Sequence, residues 1–287
     1  MNNRQRVDIL KSSYSYIKAS EDLGLLKARA LRPVRLQLEL LKPERILQRQ
    51  GVQHTVAVFG SARIMAREQA LAQIAESKDK LKNGRGDRQT HDALAAARRA
   101  LQMSKYYDEA RKFAGLLSRL KAPDGRRYFI VTGGGPGIME AANRGAFESG
   151  AKTIGHTITL PAEQEPNPYI TPGLCFQFNY FAIRKMHFLI RSRALVVFPG
   201  GFGTMDELFE SLTLIQTGKQ HRYPVILVGR DFWTKLINFD FLIETGMIRR
   251  SEADIFSLVD KAEEAIKIID EFYKNADNKN LILKRGD

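Results

Sequence analysis

"ALVVFPGGFGTMDELFESLTLIQTG", residues 194–218, passes from a continuous apolar run through a glycine cluster into an amphipathic stretch. That order reads as strand, turn and helix, and it recurs along the chain. "TVAVFGSAR" (55–63) is a short apolar run ending in glycine, and "RYFIVTGGGPGIMEAANRGAFESG" (127–150) is a strand, a glycine loop and a helix closed by Gly150. "KTIGHTITLP" (152–161) and "YPVILVG" (223–229) read as further strands. Continuous Val/Ile/Leu runs between helices are how a parallel sheet covered on both faces appears in sequence. The prediction is an α/β chain with a Rossmann-like, doubly wound parallel sheet, a helical N-terminal extension and C-terminal helices.

Around this core the pattern divides into three parts. Residues 1–51 form a basic helical region, broken near Pro33 and Pro43, since proline interrupts a helix interior. Residues 52–232 form the nucleotide-binding core, with a charged, glycine-poor helical insertion at about 64–120 whose "KNGRGDRQ" (82–89) reads as an exposed turn. In residues 233–287 a helix spanning about 231–245 finishes, followed by the apolar piece "IFSLV", a helix at about 261–275 and a mobile tail, the helices packing on the core.

Composition narrows the class. No stretch reaches the ~20 uncharged apolar residues that span a bilayer, and the start lacks a secretory signal's apolar centre, so a cytoplasmic, non-membrane protein is expected. The single cysteine, Cys175, excludes an internal disulfide and reads as a small packing residue, and the five histidines lack metal-ligand spacing. The formal net charge of +13 suits an anionic partner without choosing one, and residues 1–50 hold 11 Lys or Arg against 5 Asp or Glu.

In open parallel sheets ligands bind beyond the carboxyl ends of the strands, where loops enter helix N-termini. Three such loops carry small residues here: "GSAR" (60–63), "GGGPG" (133–137) and "PGGFGT" (199–204). Glycines let backbone N–H groups approach an anion, and the following helix adds its positive end, so phosphate is the natural guest. The 133–137 loop is not Gly-x-Gly-x-x-Gly and no acid follows the next strand until Glu163, which argues against a nicotinamide dinucleotide. "GAFESGAKT" (145–153) fails as a P-loop because it ends a helix and misplaces Lys152.

Asp206 and Glu207 stand just behind the third loop. Acids in a first helical turn complement the helix dipole, which is the plain account of both, and of Asp206 in particular once the family motif below singles out Glu207. A carboxylate behind a phosphate cradle makes better sense at the carbon end of a ligand, where positive charge develops.

These residues resemble a known family. "PGGFGTMDE" fits the Pro-Gly-Gly-x-Gly-Thr-x-x-Glu motif of the LONELY GUY (LOG) family of nucleoside 5′-monophosphate phosphoribohydrolases, often mislabelled lysine decarboxylases. "FAIRKMHFLIRSRALVVFPGG" (181–201) supplies the family's Arg-Lys pair, and "GGGPGIMEAA" (133–142) resembles its other glycine loop. The resemblance covers roughly residues 52–232; the first fifty residues, the insertion and "AEQEPNPYITPGLCFQFNY" (162–180) depart from short plant-type members and look like a longer bacterial branch.

The resemblance implies hydrolysis of the N-glycosidic bond of an AMP-like or cytokinin riboside monophosphate to free base and ribose 5-phosphate, without cofactor or metal. It implies Glu207 as the catalytic carboxylate with Arg184 as its partner. Gly200, Gly201, Gly203 and Thr204 hold the phosphate, Gly133, Gly134 and Gly135 line the nucleotide pocket, and Lys185 completes the Arg-Lys motif. A homo-oligomer, at least a dimer, is also implied.

From the residues themselves, Ser61 and Arg63 read as substrate contacts on the same sheet edge. Glu163, Gln164, Asn167 and Tyr169 belong to a loop read equally as a lid over the base or as surface packing, and Arg191 and Arg193 read as structural. The alternative function is a non-hydrolytic nucleotide or molybdenum-cofactor carrier; nucleic-acid binding by the basic N-terminal region ranks lower. A pyridoxal-dependent decarboxylase fits worst, because Lys185 lacks a cofactor-phosphate and pyridinium partner set.

Overall fold

The computed structural model describes residues 1–83, 87–160 and 165–275. Contacts divide the chain into Met1–Arg45 and Ile46–Asp287.

The first unit holds helices α1 (Asn3–Ser12), α2 (Leu23–Lys27) and most of α3 (Arg32–Arg49). Asn2 opens α1 with a capping box shared with Gln5, and Asp22 accepts the Leu25 amide at the start of α2. Arg35 donates from Nη1 to the Leu26 and Ala28 carbonyls, both at 2.8 Å, satisfying carbonyls left open at the end of α2. The expected breaks at proline do not occur: α3 begins one residue before Pro33 and runs through Pro43. Pro33 lies in the first turn, where no intrahelical donor is needed.

In the second unit the strands are β1 (His54–Phe59), β2 (Tyr128–Thr132), β3 (Thr153–Ile158), β4 (Cys175–Phe178), β5 (Ser192–Val197), β6 (Val225–Val228) and β7 (Phe256–Val259). They form one sheet in the order β4-β3-β2-β1-β5-β6-β7, with every pairing parallel. Between them run α4 (Arg67–Lys82), α5 (Arg88–Leu117), α6 (Ile138–Glu148), α7 (Phe181–Ile190), α8 (Phe202–Gln216), α9 (Arg230–Leu236), α10 (Phe239–Glu244) and α11 (Arg250–Ala253), with α12 (Ala262–Lys274) last. Side chains alternate across a strand, so Val56 and Val58 enter the core beneath α5, α6 and α12, whereas Ala57 and Phe59 join the opposite core with Phe188, Leu208 and Trp233. The doubly wound parallel sheet stands as predicted.

Three readings change. The 64–120 "insertion" is α4 and α5, but α5 is no appendage: Tyr107, Ala110, Phe113, Ala114 and Leu117 are buried against the sheet, which makes it the crossover between β1 and β2. The stretch 162–180 contains strand β4, in which Phe176 and Phe178 are buried while Cys175 and Gln177 are exposed, so Cys175 is not a packing residue. The helix expected at 231–245 is two, separated at Asn238, whose side chain caps α10. "IFSLV" supplies the edge strand β7. Among the described residues no helix is long and apolar enough to cross a membrane, and no cluster of ligating side chains suits a metal ion.

Candidate active site

The chain reverses direction across the sheet at β1, which pairs with β2 on one side and β5 on the other. Loops leaving the carboxyl ends of these strands diverge there and leave a crevice. A cavity of about 310 Å³ occupies it, lined by the loop after β1 (Gly60–Arg63), the loop after β2 (Gly133, Gly134, Gly135), the end of β3, α7 and the start of α8.

Ser61 joins the three loops. Its N–H donates to the Pro199 carbonyl at 3.0 Å, and its carbonyl accepts from Ile138 N–H at 3.1 Å, at the start of α6. The approach is close enough to require glycine at 137: a Cβ there would lie 2.4 Å from Ser61 O, and the residue has φ +72°.

Glu207 reaches the cavity from α8 and is only 5% exposed. Helix α8 starts at Phe202, inside the glycine loop, so Asp206 and Glu207 fall in its second turn. The dipole account of Asp206 therefore fails, because the effect fades beyond the first turn. Asp206 instead accepts an ion pair from Lys185 at 2.8 Å, and Glu210, one turn on, takes the same ammonium at 2.9 Å. Burial alone would lower the Lys185 pKa, but these bonds outweigh it and raise it. Lys185 thus faces away from the cavity and does not line it, whereas its neighbour Arg184 does.

Arg184 places Nη2 3.8 Å from Glu207 Oε1. Phe181, three residues before it, and Phe188, four after, share its helical face and flank the guanidinium at 5.0 and 5.8 Å. Its Nε is buried without a hydrogen-bond partner among the described residues. Burial pushes the Glu207 carboxyl up to about 7, opposed by Lys185 and Arg184 and assisted by the nearby Glu210 and Asp206. A carboxyl poised there exchanges protons in both directions near neutrality.

Of the predicted residues, Glu207, Arg184, Gly133, Gly134, Gly135, Gly201, Gly203, Thr204, Ser61 and Arg63 all line the cavity. Gly200 sits behind them, where any Cβ would collide with Thr204. Asn167 is buried and bonded to the glycine loop, and Tyr169 packs beneath Arg144, so neither lies over the cavity as a lid. Glu163 and Gln164 lie outside the described residues. Arg191 and Arg193 sit at the opposite end of β5, bonded to the Val52 carbonyl and His54. Sequence reasoning missed Glu165, a second carboxylate on the cavity wall, and the apolar Met139, Ile158 and Leu160. The Phe181–Arg184–Phe188 spacing was legible and went unread.

The family model described as "Possible lysine decarboxylase" matches residues 139–269. Cytokinin riboside 5′-monophosphate phosphoribohydrolase LOG3 of Arabidopsis thaliana is 30% identical over 152 residues, 51% of this chain and 69% of that protein. The chain belongs to the LOG family. The probable phosphoribohydrolase LOGL3 of Oryza sativa subsp. japonica is likewise 30% identical over 148 residues, 50% of this chain and 68% of its own. Among solved structures, the molybdenum cofactor carrier protein of Chlamydomonas reinhardtii aligns with a TM-score of 0.42 at 17% identity, covering 76% of this chain and 97% of that one. The molybdenum cofactor binding protein of Rippkaea orientalis aligns with a TM-score of 0.42 at 19% identity, covering 58% and 87%. The decarboxylase label on the LOG family model does not fit this site. Pyridoxal chemistry needs a lysine for the Schiff base, and among the described residues no lysine lines the cavity.

Proposed function

We propose that the chain hydrolyses the N-glycosidic bond of a nucleoside 5′-monophosphate, AMP-like or a cytokinin riboside monophosphate, to free base and ribose 5-phosphate. The observation that carries this reading is the meeting of Glu207 and Arg184 in a crevice edged by three glycine-bearing loops. The 5′-phosphate sits at the amino terminus of α8, on Gly201, Gly203 and Thr204 with Gly200 behind them, where helix amides and dipole favour an anion. Gly133, Gly134, Gly135 and Ser61 line the remainder of the nucleotide site.

With the phosphate so held, the anomeric carbon falls beside Glu207. Its ionised form stabilises the oxocarbenium-like transition state and takes a proton from the attacking water. The water oxygen bonds to C1′, the C1′–N bond breaks, and its electron pair leaves with the base. The base gains one proton as water loses one, and a carboxyl titrating near neutrality can relay it. Arg184 is too basic to donate a proton; its place on the cavity wall, with Nη2 beside Glu207, supports a role in binding the nucleotide and holding Glu207. Lys185 acts outside the cavity, fixing α7 to α8 through Asp206 and Glu210. A dimer or higher homo-oligomer is part of the proposal.

Incubation of the purified chain with a panel of nucleoside monophosphates tests it: free base and ribose 5-phosphate are expected in equal amounts. Tight binding of intact nucleotide with no turnover would favour a carrier instead.

A further inference from the structure

We propose that Asn167 is a positioning residue that sets one backbone amide, Gly135 N–H, to face the nucleotide; the assignment of ligand rests on the function proposed above. Asn167 is 6% exposed and does not line the cavity, so it works from behind the glycine loop. Its backbone N–H donates to Gly134 O at 2.8 Å. Its Nδ2 lies 3.1 Å from Gly134 O, 3.0 Å from Gly135 O and 2.9 Å from Asn143 Oδ1, while its Oδ1 accepts from Tyr169 N–H at 3.2 Å. Three acceptors on one side and a donor on the other fix which way the amide is turned.

The consequence follows from peptide geometry. In a trans peptide the C=O and the next N–H point in opposite directions, and no peptide bond among the described residues is cis. Gly134 O is drawn toward Asn167 by two donors, so Gly135 N–H points away from Asn167, to the side where Gly134 and Gly135 border the cavity. The neighbouring amides cannot do this work: Gly134 N–H donates to Thr132 Oγ1 at 3.0 Å, and residue 136 is a proline without an N–H. Gly134 itself holds φ +76°, with a Cβ position 2.7 Å from Thr157, so the turn has little room to adopt another form.

Beneath the loop the same network is closed by buried groups. Thr132 Oγ1 donates to Asn143 Oδ1 at 2.7 Å, and Asn143 Nδ2 donates to Thr153 Oγ1. Asn167 is therefore the member that touches the loop carbonyls, and Thr153 is the member furthest from them. That difference separates positioning from general stability.

The experiment compares Asn167→Asp, Asn167→Ala and Thr153→Val with the unmodified chain, using AMP. The aspartate is isosteric but puts an acceptor against two carbonyls. Loss of a hydrogen bond to a charged or polar nucleotide oxygen should raise KM about tenfold or more in both Asn167 variants, with kcat changed by less than about threefold. Thr153→Val should lower the melting temperature and leave KM alone. In ¹⁵N spectra, saturating AMP should move the Gly135 amide in the unmodified chain and not in Asn167→Asp. An unchanged KM in both Asn167 variants, or a Gly135 amide that AMP does not move, overturns the proposal. If AMP moves that amide but no base is released, the hydrolase reading fails and the role of Asn167 stands.

Discussion

Arg184 holds its guanidinium 3.8 Å from the Glu207 carboxylate, sandwiched by Phe181 and Phe188, and yet burial still drives that carboxyl up to about 7. Desolvation therefore outweighs a neighbouring full charge, and the site's proton affinity depends on a balance that single substitutions can move.

Removing the carboxylate is the plainest test. Glu207→Ala and Glu207→Gln should lower kcat by about 10²- to 10⁴-fold, the usual contribution of a positioned acid–base group. The fold should persist, checked by circular dichroism and by AMP binding. Full release of base by either variant would remove Glu207 from the mechanism.

The pH profile follows from the same group. Because the ionised carboxylate takes the water's proton, kcat/KM should rise with pH through about 7 and level off above it. Arg184 lowers the Glu207 pKa, so Arg184→Ala should shift this limb to higher pH as well as reduce activity. Arg184→Lys keeps the charge, so the limb should move less, while activity still falls because the planar fork is lost. A limb that stays at the same pH in Arg184→Ala would break the electrostatic link between the two residues.

Much of this was legible in sequence, and the limits have physical causes. Strand, glycine loop and helix could be read from "ALVVFPGGFGTMDELFE" because each part has its own spacing, and the loops met because parallel strands share a carboxyl edge. Strand β4 was hidden because an edge strand of four residues, half exposed, offers little apolar run. Asp206 was misplaced because glycines can occupy a helix's first turn, so the composition of "GGFGT" concealed where α8 starts. The orientation of Lys185 was out of reach: adjacent helical residues differ by about 100°, and the motif does not say which of the pair faces inward.

That orientation yields a contrast. Lys185→Ala breaks pairs with Asp206, which is largely exposed, and with Glu210, so its cost should be no more than about 1 kcal/mol. KM for AMP should change only a few-fold, far less than in Arg184→Ala, as steady-state kinetics on the two variants would show. Because Lys185 lowers the Glu207 pKa at least as strongly as Arg184 does, the acid limb should nevertheless move upward in Lys185→Ala as well.

Stability should expose Glu207 independently of turnover, because a second buried group opposes it. The Glu207 carboxyl is raised from the ordinary 4.5 to about 7, so the folded state binds a proton that the unfolded chain releases. Its stabilising effect is full below 4.5 and is lost as pH rises through 7, worth about 3 kcal/mol at most. His156 acts in the reverse sense: buried among Phe176, Phe178, His187 and Phe188, with neither ring nitrogen hydrogen-bonded among the described residues, it is held well below 6.5 by burial. Its stabilising effect is present above 6.5 and lost on acidification, at about 1.4 kcal/mol per pH unit. Between pH 6.5 and 4.5 the two trends offset each other in the unmodified chain. Glu207→Gln should therefore be more stable than the unmodified chain at pH 8 and should lose stability more steeply on acidification. His156→Phe should instead gain stability as pH falls. Urea unfolding at pH 5, 6.5 and 8 reads both trends, and a Glu207→Gln variant no more stable at pH 8 would show that the buried carboxyl carries no desolvation cost.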